Sequence, residues 1–365
     1  MRLSHLRALY ESDGPFATAY VRTTRDAATA SHQVELRARH LAEQLSAQGA
    51  PAEAGDAIET AVRDESEGAP AERVLVWAGG RVVFDADLPE TGEDETATWG
   101  PLPDLLEYAR AYANTVPHVV AVVDRVGGDL TAVDALGQVR EIESVDGTTF
   151  HLRKVKVGGW SQLHYLHHAE ERWKANSDDV AVAVDRLIEE VQAEQLVVAG
   201  DVRAREKLHE RLSVRGKSLL TEIEHGGRAE GVDEEAFDHA VHERVEETAH
   251  RMVEERCAMF TERMGKKGAA AEGLSHVVAA ASQAKLDTLL IGENFKADAD
   301  AWIGTSSEQI SLTRKGLETL GADLAVKVPA GSALLRSAVL TDGEVLVVPP
   351  DGIKLRDGIG ALLRF

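Results

Sequence analysis

The sequence holds a single cysteine, Cys257, among 365 residues. One thiol excludes an intramolecular disulfide and any multi-cysteine zinc or iron-sulfur site, and such usage fits a reducing cytosol. Aromatic residues make up only 5% of the chain, so its cores must be packed largely from Val, Leu, Ala and Ile. Nowhere do about 18 apolar residues run together, and no membrane span is expected. The opening stretch MRLSHLRALYESDGPF lacks the apolar run of a signal peptide, so a cytoplasmic protein is expected. Positive charge is scarce too. Lys and Arg number 40 against 62 Asp and Glu, a formal net charge of −22. That balance excludes broad, sequence-blind adhesion to nucleic acid, DNA included, because such binding needs cations to displace phosphate counterions. Any contact with RNA must be local.

What is present is ample apolar material, 44% of the residues, in a chain too long for one ordinary core. Residues 1–104 read as a mixed α/β unit. It has a short helix at Leu3 to Tyr10, a strand at Phe16 to Val21, helices near 28–48 and 52–65, and a hairpin turning at Ala78-Gly79-Gly80. The acidic, threonine-rich stretch Pro89 to Thr98 reads as a solvated loop. A second unit starts near Asp104. Val119 to Val123 is an apolar run suited to a strand buried on both faces, followed by strands at Leu130 to Val133 and 149–157. Leu163, Leu166, Trp173, Val180, Val184, Leu187, Ile188 and Val191 then recur at helical spacing, predicting one buried stripe. A helix from Gln162 to Gln192 would be ~46 Å long. Leu196 to Ala199 reads as a buried strand and Gly200-Asp201 as the start of another helix. The last third opens with a charged helix from Val232 towards Met264. A helix over 269–284, a strand at Thr288 to Ile291 and further alternation follow, as in an α/β layer domain.

Enzyme signatures fail on inspection. Gly216-Lys217-Ser218 resembles the end of a phosphate-binding loop, but Arg211 stands where that motif needs glycine. The Gly-Ile-Gly at 358–360 precedes too few residues for a dinucleotide-binding unit. No G-x-S-x-G elbow is present, and Cys257, mid-helix among charged neighbours, reads as a structural thiol. His164, His167 and His168 share about one helical face, but no carboxylate stands among them and no HExxH pattern occurs. No metal and no cofactor are expected.

One segment departs from the overall acidity. From His151 to His168 the sequence HLRKVKVGGWSQLHYLHH contains no Asp or Glu. Arg153, Lys154 and Lys156 suit phosphate contacts. Ser161, Gln162 and His164 suit bases or sugar hydroxyls, and Trp160 offers a stacking face. Gly158 and Gly159 permit positive φ or close approach to a partner. The competing reading is a hairpin corner whose indole completes a core beside solvated lysines.

The segments VPHVVAVVDRVGGDL (116–130), KVGGWSQLHYLHHAEERW (156–173), LDTLLIGE (286–293) and GIGALLRF (358–365) carry a resemblance. Over nearly its whole length the chain resembles the bacterial branch of the archaeo-eukaryotic release factor and Pelota family. The resemblance implies an α/β fold of three domains with mixed sheets flanked by helices. These are an N-terminal domain over 1–104, a central domain over 105–228 with a glycine-rich loop and long helix, and a C-terminal α/β domain over 229–365. It implies the ribosome as partner through ribosomal RNA, with tRNA and elongation factor Tu as further partners. In release factors of this family the loop carries Gly-Gly-Gln. Here Gly158 and Gly159 match the glycines, Trp160 stands at the glutamine, and Gln162 follows two residues later. A displaced glutamine cannot be assumed to hold water at a developing oxyanion. Neither Asn-Ile-Lys-Ser nor a Tyr-x-Cys pattern is present for stop-codon reading. The resemblance therefore implies a non-catalytic factor that occupies the A site of idle or stressed ribosomes. The alternatives are a peptidyl-tRNA hydrolase using Gly158, Gly159 and Gln162, and an acidic scaffold whose helix at 233–264 pairs with a protein.

Overall fold

A computed structural model of the chain describes residues 3–22, 30–63, 72–89, 95–124, 127–146, 149–153, 177–224, 233–265, 269–292, 295 and 299–364. They form two compact units, Thr115–Met252 and a two-part unit of Met1–Asn114 with Val253–Phe365.

The first part of the two-part unit contains α1 (Arg7–Tyr10), β1 (Phe16–Arg22), α2 (Ala30–Ala47), α3 (Ala52–Arg63), β2 (Glu72–Ala78), β3 (Arg81–Leu88), β4 (Thr96–Gly100) and α4 (Leu106–Tyr112). The strands order as β3-β2-β1-β4, with β1 antiparallel to both neighbours. Strand alternation assigns the faces. Ala17, Ala19 and Val21 of β1 join Leu75 and Trp77 of β2 against Leu41, Leu45, Ile58 and Val62 of the two helices. Thr18 and Tyr20 take the other parity and hold the chain beyond β4. Thr18 Oγ1 accepts from the Asp104 N–H at 3.0 Å, and the Tyr20 hydroxyl donates to the Asp104 carbonyl at 2.9 Å.

The Thr115–Met252 unit is built from β5 (His118–Val123), β6 (Gly128–Val133), β7 (Val139–Asp146), β8 (Thr149–Arg153), α5 (Ser177–Val191), β9 (Gln195–Gly200), α6 (Val202–Arg211), α7 (Val214–Leu219), β10 (Leu220–Glu222) and the first part of α8 (Glu234–Met264). Its six-stranded sheet orders as β10-β9-β5-β6-β7-β8. Strands β10, β9 and β5 run parallel, and β6, β7 and β8 continue as an antiparallel meander. Every residue of β5 is buried. Val119, Ala121 and Val123 pack with α5 and α6 through Val184, Leu187, Ile188 and Leu208. Val120 and Val122 pack with Phe237, Val241 and Val245 of α8. Helices on both faces account for the unbroken apolar run of β5.

The remainder of the two-part unit adds β11 (Ala270–Glu272), α9 (Leu274–Ala281), β12 (Leu286–Gly292), β13 (Asp300–Ile303), β14 (Ile310–Ser311), α10 (Arg314–Thr319), β15 (Val326–Pro329), α11 (Ala330–Leu340), β16 (Glu344–Val348) and β17 (Ile359–Leu363). One sheet orders as β11-β17-β12-β16 and a smaller one as β14-β13-β15. Helix α11 is buried from Ala330 to Val339 and packs against α1, α4, α9 and β12. Its one buried cation, Arg336, donates to the carbonyls of Ser306 at 3.1 Å and Thr305 at 2.6 Å, the pairing a buried charge requires. The Asn114 side chain pairs with the edge strand β16, giving to Val347 O at 2.9 Å and accepting from Val347 N at 3.1 Å. Each sheet lies within one of the segments 1–104, 105–228 and 229–365.

Several expectations need correction. The loop expected over Pro89 to Thr98 ends early, because β4 begins at Thr96 and pairs with β1, burying Ala97. Strand β7 was not foreseen; its Glu141 and Glu143 mask the alternation. The helix expected from 269 starts at Leu274, after β11 and Gly273 at φ +83°. The strand expected over 149–157 is described to Arg153, and the helix expected from Gln162 is described from Ser177.

The parallel pair closes tightly at one point. Gly200 has φ +110°, and a Cβ there would lie 1.9 Å from the Val123 carbonyl oxygen. The next N–H, of Asp201, donates to that oxygen at 2.9 Å, and the Asp201 side chain caps α6 by accepting from Arg203 N and Ala204 N. Gly200→Ala is therefore expected to cost roughly 3 kcal/mol or more, combining left-handed strain with overpacking. Urea unfolding of the parent and variant measures it.

Candidate nucleic-acid interface

Of the nine residues expected to face RNA, only the backbone of Arg153 is described. Lys154, Lys156, Gly158, Gly159, Trp160, Ser161, Gln162 and His164 lie outside the described residues, as do His167 and His168. What is described is the frame around that segment. The chain enters it from β8, the outermost strand of its sheet, where Arg153 stands opposite Ile142 of β7. It returns through α5, whose apolar stripe of Val180, Val184, Leu187 and Ile188 is buried as its spacing predicts.

An ion-pair cluster fastens α5 to β7, the strand beside β8. Arg186 of α5 donates to Glu141 of β7 at 3.2 and 3.3 Å, to Glu190 at 2.8 Å, and to Glu143 of β7. The Glu143 side chain is fully buried, and among the described residues its Oε1 has no hydrogen-bond partner. Burial pushes its carboxyl pKa up, and the guanidinium of Arg186 opposes that shift. The arrangement holds the carboxylate in place through one cation. Sequence reasoning missed it because its signal, Glu-x-Glu ahead of Val145, is legible only once β7 is known to be a strand with one buried face.

A second buried polar group lies at the start of β5. His118 is 1% exposed, and its Nδ1 is 2.8 Å from the Val116 carbonyl, which assigns the proton to Nδ1. Burial lowers its pKa from 6.5 to about 4; the Val116 hydrogen bond opposes that shift and His242 of α8 adds to it.

Other sequence features prove structural. Gly216 lies where a Cβ would come within 2.7 Å of Asp185 Oδ1. Its N–H is held by Ser213 Oγ, which in turn donates to Asp185, so the glycine serves packing against α5. Cys257 joins the core with Val253, Phe260 and Leu290, and burial pushes its thiol pKa up, the setting of an inert thiol. Among the described residues no group of three or more His, Cys, Asp or Glu could hold a metal ion, and no helix is long and apolar enough to cross a membrane.

The strand frame, the entry to the basic segment and much of α8 all fall within residues 117–266. These match the model of bacterial archaeo-eukaryotic release factor family 2. This segment, less than half of the chain, is similar to that family. Beyond the release-factor segment, the whole chain is 27% identical over 378 aligned positions to the uncharacterized protein Rv2629 of Mycobacterium tuberculosis, covering 100% of this chain and 97% of that one. Among solved structures, Archaeoglobus fulgidus Pelota is 16% identical with a TM-score of 0.32, covering 80% of this chain and 79% of its own. Dom34 of S. cerevisiae is 12% identical with a TM-score of 0.37, over 80% and 79% of the two chains. An archaeal Pelota from a ribosome-bound model with ABCE1 is 14% identical with a TM-score of 0.39, over 100% and 94%.

Two outcomes follow for the frame of the release-factor segment. Arg186→Met leaves Glu143 buried without its cation. Because Arg186 keeps 39% of its side chain exposed, the loss is set below the full range for a broken buried pair, at roughly 2–4 kcal/mol. It should shrink as pH falls and Glu143 takes up a proton, as urea unfolding between pH 7 and 4 would show. His118 is neutral in both states above its unfolded value of 6.5; below that the unfolded chain binds the proton first, down to about 4. Stability from this site is thus complete above 6.5 and lost as pH falls, by about 3 kcal/mol. The stability gap between the parent and His118→Gln should narrow by that amount over the same range.

Proposed function

We propose that this chain is a ribosome-binding translation factor that occupies the A site of idle or stressed ribosomes without catalysing peptide release. The observation that carries the reading is the family match over 117–266. It encloses an acid-free cationic segment in a chain of net charge −22. In this reading Arg153, Lys154 and Lys156 meet ribosomal RNA phosphates, Trp160 stacks on a base, and Ser161, Gln162 and His164 bond to base edges or sugars. Gly158 and Gly159 allow the backbone to come close. Transfer RNA and elongation factor Tu are the further partners that the family resemblance implies.

A second reading, peptidyl-tRNA hydrolysis, is favoured by Gly158-Gly159 with Gln162 nearby. One set of experiments separates the two. Trp160→Ala should lower ribosome co-sedimentation at physiological salt about 5-fold or more, the equivalent of ~1 kcal/mol or more of stacking. The triple change of Arg153, Lys154 and Lys156 to Ala should lower it as well. Parent-like binding by both variants would refute the proposal. Labelled peptide should stay on stalled complexes; release above background that Gln162→Ala abolishes would establish the hydrolase instead.

A further inference from the structure

The sheet β3-β2-β1-β4 ends in two outer strands of different character. Strand β3 carries Arg81, Asp85 and Asp87, charges that oppose pairing with a further strand. Strand β4, Thr-Ala-Thr-Trp-Gly from Thr96 to Gly100, carries neither charge nor proline. An uncharged edge rich in threonine and tryptophan is a template for an added strand.

Side chains from the end of α2 occupy that edge. Strand β4 pairs antiparallel with β1, Thr98 opposite Thr18 and Ala97 opposite Ala19. In such a ladder the backbone groups of alternate residues turn away from the partner strand. Here the outward groups are those of Ala97 and Trp99, and glutamine amides bind them. Gln44 Oε1 accepts from the Ala97 N–H at 2.7 Å. Gln48 Nε2 donates to the Ala97 carbonyl at 2.8 Å, and Gln48 Oε1 accepts from the Trp99 N–H at 2.9 Å. The Gln48 amide thus bonds the carbonyl of one residue and the N–H of the residue two further on, as one residue of a parallel neighbour strand does. Both amides are held in turn. Gln48 Nε2 also donates to the Gln44 carbonyl at 3.1 Å, and Gln44 Nε2 lies 2.8 Å from His40 Nε2.

We propose that Gln44 and Gln48 act as a side-chain strand that closes the β4 edge against pairing with a second copy of this chain. The two amides take up the Ala97 and Trp99 N–H groups and the Ala97 carbonyl that an added strand would use. A second copy is the occupant this edge fits. Antiparallel self-pairing centred on Thr98 sets Ala97 of each chain opposite Trp99 of the other, so the outward groups of both strands meet. Every copy brings the same uncharged strand, and nothing on it repels its twin. Such pairing requires displacement of both glutamines and would run the sheet on across two chains. Ala97 is buried with Leu41 and Leu45 of α2, so the helix that packs on this strand also guards it. The inference is independent of the ribosome reading, since it concerns different residues and needs no RNA.

Hydrogen exchange and sedimentation velocity on the full chain test it. In the parent, the Ala97 and Trp99 amides should exchange roughly 100-fold or more below unprotected rates, although they point outward from an edge strand. Exchange at unprotected rates would overturn the proposal before any variant is made. Joint Gln44→Met and Gln48→Met keep side-chain length and helix propensity. They should raise self-association at least tenfold, with both amides protected again in the associated form. Adding Thr96→Lys, at an exposed position on β4, should return the parent's sedimentation by placing charge on the opened edge. Should the double variant lose cooperative melting, Gln48→Met alone serves for the same comparison. Parent-like sedimentation of the folded variant would overturn the proposal and leave the glutamines as a brace for β4. Association that persists with Thr96→Lys would do so too, by assigning it to another surface.

Discussion

The parallel pairing of β5 with β9 is the constraint on which the central unit depends. Parallel neighbours cannot be joined by a hairpin, so the chain must leave the end of β5 and come back to the start of β9 by a long route. Here the outward journey is the meander β6, β7 and β8, and the return is α5. In sequence, the cationic segment lies between β8, the edge strand, and α5, the helix that closes the excursion. Whatever this segment contacts, its two attachment points are set by a sheet edge and by a helix that cannot move without uncovering β5.

That dependence explains why an expensive device is kept on β7. A fully buried carboxylate such as Glu143 contributes little net stability even when paired, and a hydrophobic replacement would often serve as well. What Arg186 gains by gripping Glu141 and Glu143 together is registration of α5 over β7. An apolar stripe alone tolerates sliding, because any Val or Leu will pack on any other. A charged fork that matches two carboxylates on alternate strand positions does not.

How much of this was legible in the sequence depended on whether one face or two were buried. Strand β5 reads at once, because helices cover both sides and nothing polar interrupts Val119 to Val123. The stripe of α5 reads equally well from Val180 to Ile188, since helical spacing survives the polar residues between. Strands β4 and β7 were hidden for the opposite reason. In β7 the inward positions Glu141 and Glu143 stand between Val139 and Val145, so the apolar alternation is broken until Arg186 is known to bond both carboxylates. In β4 only Ala97 is buried, and the threonines and acids around it resemble a loop. Gly200 was read as punctuation before a helix, which it is. The sequence could not show that the Val123 carbonyl occupies the space of its missing side chain. Of the candidate RNA-facing residues, the sequence supplies the chemistry, while only the backbone of Arg153 and the attachment points on either side lie among the described residues.

The charge distribution constrains the proposed RNA-facing segment. A strongly anionic body repels polyanions at long range and leaves only short-range contacts to decide binding. A basic patch on such a body then attracts its partner only when the patch itself is presented. For the proposed RNA contact of residues 151–168, the same repulsion would oppose any approach that brings the rest of the acidic chain to phosphate. Sparse cations on an acidic chain thus select by exclusion.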